Sequence, residues 1–163
     1  MGSPQELGNS MHRLFERALP KDLHAGLGVI GIGDDTVSVA DIKSLNQASI
    51  EMLFTESERA YCSAIKSADI TAQRLAARFA AKEAVAKALG GTDAWDFQEV
   101  SIERTQRGVP IVQLSGSARV RADALGVEFI HVTLEHKPNH GLASCVVIGN
   151  RQIKNTLDTN QLS

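Results

Sequence analysis

The sequence predicts an α+β fold, a mainly antiparallel sheet packed against one long helix. Three observations predict it. The order of segments runs strand, helices, then mostly strands, which is not the regular alternation of a doubly wound sheet. Thr71 to Leu89 carries eight alanines and ends at Gly90-Gly91, a strong helix with a stop signal. The runs Glu128 to Glu135 and Leu142 to Ile148 close the pattern as two strands.

The other elements follow in chain order. Leu27-Gly28-Val29-Ile30-Gly31-Ile32 is a short β-branched run bounded by glycines and reads as a strand. From Val37 to Leu53, apolar residues at Val39, Ile42, Leu45 and Ile50 give a loose helical spacing. Thr55 is placed to cap the next helix, with Glu58 three residues on to complete a capping box. Val100 to Glu103 and Ile111 to Leu114 read as strands, and Ser117 to Leu125 as a short helix.

The 163 residues, 17.5 kDa in mass, suit one domain with a real core. Residues 1–26 read as an N-terminal extension with a helical candidate at Met11 to Ala18, residues 27–149 as the domain, and residues 150–163 as a polar tail. Seventeen basic against nineteen acidic residues give a net charge of −2, which argues against nucleic acid as a partner. No apolar run is long enough to span a membrane, and the polar N-terminus lacks the apolar core of a signal peptide. Two cysteines, Cys62 and Cys145, cannot build a disulfide scaffold, so a reducing cytoplasm is expected. The small total hides a segregation: residues 34–59 carry six acids and two bases, and residues 71–90 carry four bases and one acid.

Three places could carry chemistry. Gly31-Ile32-Gly33-Asp34-Asp35-Thr36 lacks the third glycine of a dinucleotide fingerprint. Its aspartates would repel a phosphate unless a divalent cation lay between them, so Asp34 or Asp35 reads either as a metal ligand or as part of an ordinary turn. In the long helix, Arg74, Arg78 and Lys82 form one basic row, while Glu83 and Lys87, four apart, read either as site residues or as a surface ion pair. His131 and His136 stand five apart on a strand and face opposite ways, which works against a three-histidine metal cluster with His140. Cys145 reads as a small buried hydrophobe.

These segments, in this order, resemble the holo-[acyl-carrier-protein] synthase family of 4′-phosphopantetheinyl transferases. The match lies in Gly31 to Val37, in Phe54 to Cys62, in the signature helix from Arg78 to Gly90, and in His131 to His136 followed by Ala143 to Ile148. The resemblance implies the phosphopantetheinyl transferase fold and transfer of phosphopantetheine from coenzyme A to a serine of an apo acyl carrier protein of the fatty-acid or polyketide type. It implies Mg²⁺ held by Asp35 and Glu83, with Lys87 as the third catalytic residue assisting the departing phosphate. It also implies coenzyme A contacts from Arg78, Lys82, Gly90 and His136, and a homotrimer with sites between subunits. The chain departs from the family pattern at Asp41, where an arginine is typical, at Ser38, at Gly108-Val109-Pro110, and in a shortened loop from Gly90 to Asp96. A non-catalytic relative that binds coenzyme A or a carrier is the alternative, and a Mg²⁺-dependent nucleotide hydrolase a third reading.

Overall fold

A computed structural model describes residues 26–91 and 96–150. Strand β1 (Leu27–Ser38) leads into three short helices, α1 (Val39–Ser44), α2 (Gln47–Leu53) and α3 (Glu56–Ser63), and then the long α4 (Ala68–Ala88). A 3-10 turn (Phe97–Glu99), β2 (Val100–Arg104), β3 (Pro110–Leu114), α5 (Gly116–Ala124), β4 (Val127–His136) and β5 (His140–Asn150) complete it. The helical candidate at Met11 to Ala18, residues 151–163 and residues 92–95 of the loop after α4 lie outside the described residues. None of the described helices is long and apolar enough to cross a membrane.

Two antiparallel sheets form, one of order β1-β5-β4 and one of β2-β3. The first strand corrects the expectation of a turn at Gly-Asp-Asp. β1 continues through Asp34 and Asp35 because β5 pairs with it to the end, Asp34 opposite Ser144 and Asp35 opposite Ala143. The stretch Val37 to Leu53 makes two helices rather than one. Asn46 breaks it by capping the second, its side chain accepting from the Ser49 amide at 2.9 Å.

Helix α4 lies on the β1-β5-β4 sheet at the distance of bare backbone. A methyl group on Gly31 would collide with the Ala88 carbonyl, one on Gly33 with the Ala84 carbonyl, and one on Gly141 with the backbone of Ala76 and Ala77. The alanines are therefore contact residues as well as good helix formers. Ala80, Ala81, Ala84, Val85, Cys145 and Val147 fill the space between helix and sheet. A second cluster, with Val39, Ile42, Phe54, Cys62 and Leu75, joins α1–α3 to the other side of α4.

The Thr55–Glu58 capping box forms as expected, but Glu58 does more than cap. It is almost fully buried, and its Oε2 accepts both the Thr55 amide at 2.9 Å and the Lys82 ammonium at 2.7 Å. Its Oε1 accepts the Ile102 amide of β2 at 3.0 Å, and Lys82 Nζ also donates to the Phe97 carbonyl at 2.8 Å. One ion pair thus binds α3, α4, the 3-10 turn and β2. Burial pushes the Lys82 ammonium below its usual range, and the Glu58 charge opposes that loss.

A buried pair broken on one side leaves an uncompensated charge. Lys82→Met should therefore cost about 3–5 kcal/mol in urea unfolding. The double variant Lys82→Met/Glu58→Leu should recover most of that loss, short of the roughly 1 kcal/mol of the lost cap.

Candidate active site

The close contact between α4 and β1 sets what stands beside it. Gly31, Gly33 and Asp35 alternate toward the helix, and Asp35 meets the turn of α4 that carries Glu83 and Lys87. Lys87 Nζ donates to Asp35 Oδ1 at 2.6 Å and to the Asp34 carbonyl at 3.0 Å. The alternative of a Glu83–Lys87 surface pair gives way to this longer-range one, since the lysine closes on the strand. The Lys87 side chain is 51% exposed and that of Asp35 21%.

Glu83 is half-buried. Burial first, and then the nearby Asp35 charge, pushes its carboxyl above the ordinary range, while Lys87 pulls it back. The Lys87 ammonium is held up, first of all by its hydrogen bond to Asp35. Two carboxylates therefore share one cation, and Glu83 is the less compensated of the two.

That donor set suits a hard divalent ion. Mg²⁺ takes one or two protein carboxylates and completes its shell with water and substrate phosphate oxygens. Asp35 already holds a cation at hydrogen-bond distance, so its carboxylate is placed for one. Among the described residues, no group of three or more His, Cys, Asp or Glu converges to hold a metal through protein alone. A depression of about 450 Å³, lined by Asp34, Thr36, Thr133, Glu135 and Ser144 among others, opens on the other face of the sheet, across β1 from the Asp35–Glu83–Lys87 cluster.

The remaining expected site residues are spread out. Gly90 ends α4 with φ +95°, against the Arg121 guanidinium, whose Nε donates to the Leu89 carbonyl at 3.1 Å. His136 is exposed at the end of β4, opposite Gly141, about 10 Å across two strand spacings from β1. Lys82 does not match its expected place: its ammonium is fully buried and committed to Glu58 and Phe97, which makes it a scaffold residue. Arg78 is only 2% exposed, and Tyr61 covers it, the guanidinium lying 4.2 Å from the ring centroid.

The residues of the 4′-phosphopantetheinyl transferase superfamily model match positions 31–143, which hold Asp35, Glu83, Lys87 and His136. The chain belongs to this family. Among its relatives, the holo-[acyl-carrier-protein] synthase of Beutenbergia cavernae is 36% identical over 126 residues, covering 76% of this chain and 99% of the relative. That of Clostridium kluyveri is 33% identical over 123 residues, 73% of this chain and 90% of the relative. The fold is similar to the crystal structure of a holo-(acyl-carrier-protein) synthase from Bacillus anthracis in complex with CoA (3′,5′-ADP). The TM-score is 0.62 and the identity 27%, covering 75% of this chain and 98% of that one.

Sequence reasoning missed the surroundings of Tyr61. Arg74 and Arg104 also lie against its ring, at 5.1 and 5.4 Å from the centroid, so three guanidiniums gather on one aromatic side chain. The Arg74 and Arg78 spacing signalled one side of this group. Arg104 comes from β2, and no local pattern connects it to Tyr61.

The raised Glu83 carboxyl carries a stability sign. The fold disfavours its ionised form, so its contribution is retained at acid pH and lost as pH rises through the folded value. Glu83→Gln should therefore raise Tm in metal-free buffer at pH 7 and leave it nearly unchanged at about pH 3.5, where the carboxyl is protonated in both states. A lower Tm at neutral pH would show that Glu83 is already compensated.

Proposed function

We propose that the protein transfers the 4′-phosphopantetheine group of coenzyme A to a serine of an apo acyl carrier protein and releases adenosine 3′,5′-bisphosphate. The observation that carries this reading is the meeting of Asp35 from β1 with Glu83 and Lys87 from α4. Asp35 and Glu83 are the residues that would hold Mg²⁺. The ion, when bound, supplies polarisation of the phosphoryl group and neutralises charge on the leaving phosphate.

Lys87 provides the mobile cation of the site. Its pKa is raised, so the ammonium stays charged at neutral pH and would assist the departing phosphate by its charge. His136 and Gly90 are exposed where a nucleotide could touch them, and Arg78 would join them with the Tyr61 ring turned aside. Lys82 keeps its role in the scaffold. The carrier is of the fatty-acid or polyketide type. Its docking at α1 meets an exposed Asp41 and a Lys43 already tied to Asp69 at 2.6 Å.

The reading includes a homotrimer in the cytoplasm. The sheet face away from α4 presents Ile32, 45% exposed, and Phe129, 56% exposed, beside His131, Thr133 and Ser144. Large apolar side chains left open on a sheet face suit a subunit contact. The mass in solution by light scattering should be three times 17.5 kDa. Both cysteines are buried and unpaired, and burial pushes their thiols to about 11 for Cys62 and about 12 for Cys145, in keeping with a reducing compartment.

The deciding experiment incubates the protein with coenzyme A, Mg²⁺ and a panel of apo carriers and looks for the phosphopantetheine mass increment. The increment should appear on at least one carrier. Glu83→Ala should lower the rate by at least about a hundredfold with the fold intact by circular dichroism, the scale seen when a group stabilising transition-state charge is removed. Coenzyme A binding with no increment on any carrier would favour the non-catalytic reading instead.

A further inference from the structure

Asp35 is asked to serve two cations. Its Oδ1 accepts the Lys87 ammonium at 2.6 Å, and the same carboxylate is one of the two placed for a divalent ion. Two positive groups at contact distance from one carboxylate repel each other, even when each takes its own oxygen. The two therefore compete for Asp35, and they are not equally held. Lys87 is 51% exposed on a flexible four-carbon stem, and its only other described partner is the Asp34 carbonyl at 3.0 Å. Glu83 stands one helical turn before it and lacks an ion-pair partner of its own among the described residues.

We propose that Lys87 is a stand-in cation: its ammonium neutralises the Asp35–Glu83 pair while no metal is bound, and it moves off Asp35 when Mg²⁺ enters. The inference rests on the metal assignment made under Proposed function and adds an exchange to it. Loading of the site then frees an ammonium that stays tethered beside it, within reach of whatever phosphate the metal holds. Metal binding and placement of the phosphate-facing cation become one event.

The test uses the full chain with Mg²⁺ alone and no coenzyme A. In protein labelled with ¹⁵N-lysine, the Lys87 Nζ resonance is identified by its loss in Lys87→Met. The position it takes when released is given by Asp35→Asn without metal. On titration with MgCl₂ the resonance should move toward that released position and saturate with the metal. Calorimetry should show Lys87→Met binding Mg²⁺ roughly three- to tenfold more tightly than the native chain. Lys43→Met removes an ammonium paired with Asp69 and should leave Mg²⁺ affinity unchanged, which separates a local exchange from a general charge effect. Saturation by Mg²⁺ with the Lys87 resonance unmoved overturns the exchange and leaves the metal assignment standing. No Mg²⁺ binding by either the native chain or Lys87→Met overturns both.

Discussion

The rest of the structure depends on how closely α4 approaches the sheet. Ordinary helix-on-sheet packing keeps side chains between the two layers. Here three glycines on the strands and a run of alanines on the helix remove most of that layer, so backbone meets backbone at Gly31, Gly33 and Gly141. The gain is positional. Charged side chains next to the contact are held by two rigid elements at once, and a short reach suffices for Lys87 to find Asp35. A bulkier residue at any of the three glycines would lift the helix and separate the groups that the candidate site needs together.

The same helix divides its charges between two environments. On one side, Arg78 and Lys82 turn into the protein, where Tyr61, Glu58 and the Phe97 carbonyl receive them. On the other, Glu83 and Lys87 stay in contact with solvent beside β1. Burial makes Lys82 structural, because a desolvated lysine bonded to a carboxylate and a carbonyl has little left to offer a ligand. Partial exposure keeps the second pair available for chemistry. A stretch of ten residues thus supplies a fastening on one face and a reactive cluster on the other.

Much of this was legible in the sequence. The α+β order, the long helix with its glycine stop and the capping box at Thr55 each rest on signals within a few residues, and each stands in the structure. What local reading could not reach was set by partners far along the chain. Gly-Asp-Asp looks like a turn until β5, more than a hundred residues later, pairs with it. Arg74, Arg78 and Lys82 form a regular basic row on paper, but burial depends on what packs over each. Glu58 gave no hint of its lysine, since capping alone accounts for a glutamate at that position. For the site itself, spacing grouped Glu83 with Lys87, and only the family resemblance joined Asp35 to them.

The irregular pairing between Val29 and Gly31 has a consequence for the core rather than for the two adjacent aspartates. Strand side chains alternate, so which of Asp34 and Asp35 faces the helix is a question of register with β5, and Asp35, opposite Ala143, takes the helix side. The extra residue at Ile30 lets two neighbours face α4 in succession, Ile30 as an apolar side chain in the core and Gly31 as bare backbone against Ala88. Removing Ile30 would leave Gly31 opposite Val147 and both acids on their own faces, but would take an apolar side chain out of the seam. One added residue thus fills the core just where the glycines begin to empty it.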